Sequence, residues 1–440
     1  MLAQIEDFIK KFFEKTQNKS LHIVSHFDTD GITSAAILAK TMQRLKKPFS
    51  IKILKQLEEK NIKDFPENKV LVLLDLGSNS LDYLKDLKND VFIIDHHEPQ
   101  EKIPENITII NPLLLKQDYE LSTAELTYLF SKFISNENKD LAYLAVIGMI
   151  GDILDKNINK IKNQIITDAD IETRKGILLY PSTRPLNKTI EFSSRPFIPG
   201  ATGNPEGTID LLREAGIMPL TRTYKSLIDL TKQEMNLLST AILLRIHDKK
   251  EDYIGNIYLI KFFNKLEDAR ELSAIINSCS RMGFSQIALM MCLGNPMARK
   301  QAERIYAKYR QNIISALRYV DENKKIEGRE YVIINAGDNI KDTLIGTIAS
   351  ILSFSSVYKE GTIIITMAYD EDKIKVSTRI AGRNPHSPRN LKKIIEEVIN
   401  ITGGECGGHK KAAGCIINKS KEQDFINEIR RKLDIELIKI

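Results

Sequence analysis

The sequence contains no tryptophan, and only 7% of its 440 residues are aromatic. An extensive base-stacking platform of the kind single-strand binders use is therefore not evident. Only four cysteines occur, none in a CxxC pair, which excludes a disulfide-stapled miniprotein and points to a reducing cytoplasm. No apolar run approaches the ~18 residues a membrane span needs. The longest, around Leu141 to Ile150, is too short. The opening MLAQIEDFIKKFFEK interleaves acids and lysines with its apolar residues, and so reads as an amphipathic helix and not a signal peptide. Internal repeats and low-complexity tracts are also missing.

What is present is the composition of a folded chain, 42% hydrophobic and 28% charged, which rules out wholesale disorder and collagen-like repeats. The length suggests about two to four domains. A net charge of +6 permits a polyanionic partner without demanding one.

Strand-like and helix-like segments alternate over the first 155 residues. LHIVS (Leu21 to Ser25), SIKIL (Ser50 to Leu54), KVLVLLD (Lys69 to Asp75) and VFIID (Val91 to Asp95) read as strands. Helices are expected after Gly31, over Asn79 to Leu87, from a capping box at Ser122 and Glu125, and through LAYLAVIGMI. Near-continuous Val/Ile/Leu strands separated by helices imply a parallel sheet covered on both faces. Prolines and glycines from Pro181 to Gly207 mark a connector. The stretch from Ile209 to Lys325 looks mainly helical, and a second α/β block begins at Glu330. The expected organisation is an N-terminal lobe over 1–185, a connector and helical bridge over 186–328, and a smaller C-terminal α/β lobe over 329–440.

Ligands in open α/β sheets gather beyond the carboxyl ends of the strands. Acids and histidines recur there: His26, Asp28 and Asp30 before Gly31; Asp75; Asp95, His96 and His97; and Asp152 after Gly151, with Asp155 as a rival. Turns favour Asp and Asn for structural reasons, so each alone is weak. Their joint occurrence after buried strands is the signal. Carboxylates suit hard divalent ions and imidazole suits manganese. Six ligands from four segments could hold two ions about 3.5–4 Å apart, with Asp75 bridging both. One histidine of the adjacent pair would then be a ligand and the other free to meet substrate or protonate a leaving oxygen.

A second constellation is GGECGGHKKAAG, from Gly403 to Gly414. Its glycines, among them Gly407 and Gly408, would bring backbone N–H groups near a phosphate, and His409, Lys410 and Lys411 add donors. Cys406, His409 and Cys415 fit no standard zinc spacing and lack a fourth ligand. Arg379 could clamp a phosphate bidentately. The basic helix from Arg299 to Arg318 reads as a solvated amphipathic face.

These motifs resemble those of the DHH phosphoesterases, named for a motif matching Asp95-His96-His97. SHFDTDGITSAAIL, LVLLDLG, IIDHHEP and GMIGD are similar to their four motifs, and GGHKKAAG to the signature of the DHH-associated domain. SSRPFIPGATGNPEG resembles the archaeal RecJ-like branch, which includes the GINS-associated nuclease. The resemblance implies two manganese or magnesium ions between the lobes. His26, Asp28 and Asp75 would hold one, and Asp30, Asp75, His96 and Asp152 the other. It implies His97 on the scissile phosphate or leaving oxygen, Asp95 orienting the neighbouring histidine, and the His409 region on the substrate's phosphate or terminal nucleotide. The activity it implies is exonucleolytic cleavage of single-stranded DNA or RNA, in replication or repair. A docking partner of GINS or of another replication protein, and a phosphodiesterase for short oligonucleotides or cyclic dinucleotides, are the competing expectations.

Overall fold

The computed structural model describes residues 2–115, 120–193, 196–221, 223–246, 253–355, 357–382 and 389–438. The chain forms two compact units, Met1–Gly176 with Gly255–Ala307, and Ile177–Ile254 with Lys308–Ile440. The expected bridge over 186–328 is thus shared between them.

In the first unit, β1 (Leu21–His26), β2 (Phe49–Leu54), β3 (Val70–Leu74), β4 (Val91–Ile94) and β5 (Ile107–Ile110) form one sheet, ordered β2-β1-β3-β4-β5. Every neighbouring pair is parallel. Side chains alternate across a strand, and both faces are buried. Ile23, Val72, Leu74, Phe92 and Ile94 join one core cluster; Val24, Leu71, Leu73, Val91 and Ile93 join another. That double burial is why the strands read as continuous apolar runs. The first cluster packs under α1 (Leu2–Thr16), α2 (Thr29–Arg44), α3 (Thr123–Ile134) and α4 (Ala142–Gly151). Phe8 and Phe12 of α1 meet Phe92 and Phe130 edge-on, with ring centroids 5.2–5.5 Å apart, a favoured aromatic geometry.

One expectation needs correction and one needs an addition. The helix read over Asn79 to Leu87 is one turn, Leu81–Leu84, since the segment buries only Leu81 and Leu84 against the sheet. The stretch read as mainly helical contains β7 (Ile254–Phe262) and β8 (Lys265–Asp268), which with β6 (Glu172–Ile177) make a three-stranded sheet. An apolar run such as IYLIKF does not reveal its period.

The second unit holds a six-stranded sheet of β9 (Ile326–Glu327), β10 (Tyr331–Asn335), β11 (Ile363–Asp370), β12 (Lys373–Ile380), β13 (Glu405–His409) and β14 (Ala412–Asn418), ordered β13-β14-β12-β11-β10-β9. Only β10 and β11 pair in parallel. One face carries Val376, Ala413, Cys415 and Ile417 into a core with the helices Leu391–Thr402 and Glu422–Ile438. The helix Asp342–Phe354 meets β11 and β12 through Thr366, whose hydroxyl donates to the Ile345 carbonyl at 3.2 Å.

Candidate metal centre

Strand register builds the site. Ser25 pairs with Leu74, Leu74 with Ile94, and Ile94 with Ile110. The next residue on each strand is therefore His26, Asp75, Asp95 or Asn111, and these four stand in one row at the carboxyl edge. Asp28 caps α2, accepting from the Gly31 N–H at 3.0 Å. A Cβ at Gly31 would lie 2.3 Å from the His26 carbonyl oxygen, so only glycine lets the chain turn this closely.

Asp75 is the centre of the arrangement. It is 2% exposed and sits at φ 60°, a left-handed conformation that aspartate tolerates better than most residues. His26 Nδ1 lies 3.2 Å from Oδ2 of both Asp75 and Asp28. On the other side, His96 Nε2 lies 3.5 Å from Asp75 Oδ1 and 3.1 Å from Asp152 Oδ2. Asp30, in the first turn of α2, is fully buried against the start of α3, taking the Thr123 and Ala124 N–H groups at 2.7 and 2.9 Å. That helix end favours a negative charge, and each Asp30 oxygen keeps a second lone pair for a cation.

The donors fall into three overlapping groups that share Asp75. One is His26, Asp28 and Asp75; another is Asp30, Asp75, His96 and Asp152; the third is Asp75, His96 and His97; within each the donor atoms lie within 4.8 Å of one another. Oxygen and imidazole donors at this density fit divalent cations such as Mn2+ or Mg2+. Electrostatics agree with the donor chemistry. Burial opposes charge on His26 and His96, yet the hydrogen bonds to Asp28 and Asp75 push His26 up to about 10. Those to Asp152 and Asp75 push His96 up to about 12. Burial, then the charges of Asp152 and Asp75, lift Asp30 well above the carboxylate range, and burial with the charge of Asp28 raises Asp75. Carboxylates crowded this tightly call for positive charge.

Asp95 and His97 have different surroundings. Asp95 is buried and fully engaged: Oδ2 accepts from the Ser78 N–H at 3.0 Å, and Oδ1 from the His96 N–H and His97 Nδ1, both at 2.8 Å. It thus holds His97 by Nδ1 and leaves Nε2 outward on a half-exposed side chain. Asp155, the rival to Asp152, is instead ion-paired with Arg270.

Three contributors were not anticipated. Asn111 donates to the His97 carbonyl at 2.8 Å and to Ser78 Oγ at 3.1 Å, pinning the turn. Thr123 Oγ1 donates to Asp75 Oδ1 at 3.1 Å. Gly148 lets α4 approach, because a Cβ there would fall 2.4 Å from Ala124 Cβ and 2.7 Å from Asp30 Oδ1. Asn111 was open to discovery by the strand-end rule that found Asp75. Beside the centre lies a cavity of about 900 Å³, with His96, Leu113, Leu154, Lys156 and Lys162 in its wall.

The glycine-rich segment and Arg379 belong to the second unit. Across three strands Arg379 pairs with Ala412, and Ala412 with His409. Opposite residues of an antiparallel pair share a face, so Arg379 and His409 flank the small Ala412 on one side of the sheet. Gly407 is on that side, with nothing within 4 Å of its missing Cβ, whereas Gly408 faces the other way at φ 137°. Arg379 donates to Ser350 Oγ at 3.2 Å and to the Thr378 carbonyl at 2.8 Å. Of SSRPFIPGATGNPEG, Ser194 and Arg195 lie outside the described residues.

Comparison with known proteins follows the same division. Residues 20–149 match the N-terminal domain of the DHH family, 179–252 the DHH-CID domain and 328–434 the DHHA1 domain. The chain belongs to the DHH family. Protein MJ0831 of Methanocaldococcus jannaschii is 28% identical over 445 residues, 97% of each chain. The single-stranded-DNA-specific exonuclease RecJ of Bacillus subtilis is 27% identical over 154 residues, 32% of this chain and 20% of its own. Among solved structures, RecJ of Thermus thermophilus in complex with Mn2+ has a TM-score of 0.60 at 16% identity. CDC45 of Entamoeba histolytica has 0.71 at 13% identity, over 98% of each chain. These structural likenesses show a shared fold. The chain covers 97% of itself but only 54% of the Thermus RecJ. Among the described residues no helix is long and apolar enough to cross a membrane.

Proposed function

We propose that this DHH phosphoesterase is a metal-dependent exonuclease acting on single-stranded DNA or RNA, in replication or repair. The observation that carries the reading is the set of overlapping donor groups sharing Asp75, with His97 held at its edge by Asp95 through Nδ1. His26, Asp28 and Asp75 would hold one divalent ion, and Asp30, Asp75, His96 and Asp152 a second. Such ions supply Lewis acidity, activating water and neutralising phosphate charge. Asp95 fixes the His97 ring through Nδ1, which leaves Nε2 to bind the scissile phosphate or to hand a proton to the leaving oxygen. Arg379, Gly407 and His409 would receive a substrate phosphate on one face of the sheet, Gly407 by leaving the surface open to close approach, while Gly408, turned to the other face, would serve the turn of the chain. Four free thiols support a cytoplasmic setting.

The test is a time course with manganese on single-stranded DNA and RNA labelled at either end, beside His96→Ala. Stepwise release of mononucleotides, lost in the variant, is expected. Cleavage of a two-nucleotide but not a twenty-nucleotide substrate would replace this reading with the short-oligonucleotide phosphodiesterase. The fold shared with CDC45 supports a second reading, a protein that docks on GINS or another replication factor. Inert strands together with capture of recombinant GINS would favour it.

A further inference from the structure

The hairpin β13–β14 that presents Gly407 and His409 has a second feature on its reverse face. Cys406 and Cys415 are direct partners across the two antiparallel strands. Opposite residues share a face, with Cα atoms about 4.5–5.5 Å apart, inside the ~4.4–6.8 Å that a disulfide spans. Both are free thiols, Cys406 exposed and Cys415 buried. Cys415 packs in the core with Ala413, Ile417 and Ile399. Cys406 lies on the edge strand, close enough to Glu396 and Lys392 to feel their charges. One thiol can therefore meet an oxidant in solution while its partner waits beside it, shielded from competing thiols.

We propose that Cys406 and Cys415 form a reversible disulfide when the protein meets hydrogen peroxide, and that this link adjusts the binding surface on the opposite face of the hairpin. The chemistry balances. The Cys406 thiolate attacks one peroxide oxygen, the O–O bond breaks, and a sulfenic acid and hydroxide result. Cys415 sulfur then attacks the Cys406 sulfur, the S–S bond forms, and the sulfenic oxygen leaves as a second water after protonation. Two thiols and one peroxide give one disulfide and two waters. Burial and the charge of Glu396 raise the Cys406 thiol, so linking quickens with rising pH. Gly407, adjacent in sequence to Cys406, lies on the substrate side, so a cross-link through position 406 restrains that surface. The effect on substrate rests on the function proposed above; the cross-link does not.

The test treats the full chain with hydrogen peroxide at pH 8 and maps unreduced peptides by mass spectrometry. A Cys406–Cys415 peptide pair two hydrogens lighter than its reduced parts, restored by dithiothreitol, is expected. Cys415→Ala should give a trappable sulfenic acid at Cys406 and no link. Oxidation of Cys406 to sulfinic acid in the parent chain without any link would overturn the proposal. Binding of a fluorescent single-stranded oligonucleotide, measured by anisotropy, should change at least about threefold on linking and recover on reduction. An unchanged affinity would overturn the regulatory half alone. Because the mapping needs no activity, its outcome is independent of whether the chain proves to be a nuclease.

Discussion

At the scale of single residues, the proposed function assigns metal binding to Asp75 and chemistry to His97. Asp75 belongs to all three donor groups and is 2% exposed, so Asp75→Asn removes charge from every one at once. Manganese affinity measured by titration calorimetry should fall by at least tenfold for each bound ion. His97 spends Nδ1 on Asp95 and turns Nε2 outward, so His97→Ala should leave manganese binding within about threefold. Its turnover should drop by roughly 10²–10⁴, the span of one general acid–base group. Equal loss of binding in both variants would refute this division of labour. A different residue stores strain. Ile153 follows Asp152 at φ 62° and is 44% exposed, a conformation that costs a β-branched residue of order 1–3 kcal/mol. Ile153→Gly should raise the melting temperature of the metal-free protein while weakening manganese affinity, as the turn that presents Asp152 loosens.

Among the elements, close approach matters more than intrinsic preference. Alanine in a helix is usually better than glycine by roughly 0.5–1 kcal/mol, yet Gly148→Ala in α4 should destabilise. The new methyl would collide with Ala124 and the Asp30 carboxylate, and overpacking costs about 1–3 kcal/mol. Thermal melts with and without manganese should show a lower melting temperature and a smaller metal-induced rise. The donors themselves were legible in the sequence because β1, β3 and β4 are buried on both faces and announce their ends by a sudden change from apolar to acidic. The capping box at Ser122 and Glu125 was also legible and is present, with the Ser122 N–H donating to Glu125 Oε2 at 2.8 Å. What that box does was not legible. It aims the first N–H groups of α3 at Asp30, a contact between residues 93 and 94 positions apart. β5 is hard to read from sequence because ITII is short, and β7 because its apolar run fits either period.

For the molecule as a whole, the proposed metal ions and protons would compete for the same groups. Without metal, His26 and His96 are raised to about 10 and about 12, above the ~6.5 of an unfolded histidine. Their contribution to stability is complete below about pH 6.5 and is lost as pH climbs through those values. Glu125, pushed up by burial to about 7, works in the same direction: its ionisation in the fold penalises stability as pH rises from its unfolded value through 7. The metal-free chain should therefore lose melting temperature steadily between pH 5 and 10. Manganese must displace the histidine protons, so binding at pH 8 should release protons, detectable as calorimetric heats that vary with the buffer's ionisation enthalpy. Buffer-independent heats would contradict the proposed histidine ligands.

The order of the six-stranded sheet carries a consequence for behaviour in concentrated solution. Its longest strands, β11 and β12, have eight residues each and lie inside, while the edges are β9, two residues long, and β13, whose five residues include two glycines. Exposed strand edges recruit other chains, and short or weakly β-forming edges blunt that tendency. The glycines of β13 thus deny a template to a neighbouring molecule, and one of them, Gly407, is also the residue proposed to leave the surface open to a phosphate. A bulky β-branched residue at 407, where the surface is open, would invite edge-to-edge association.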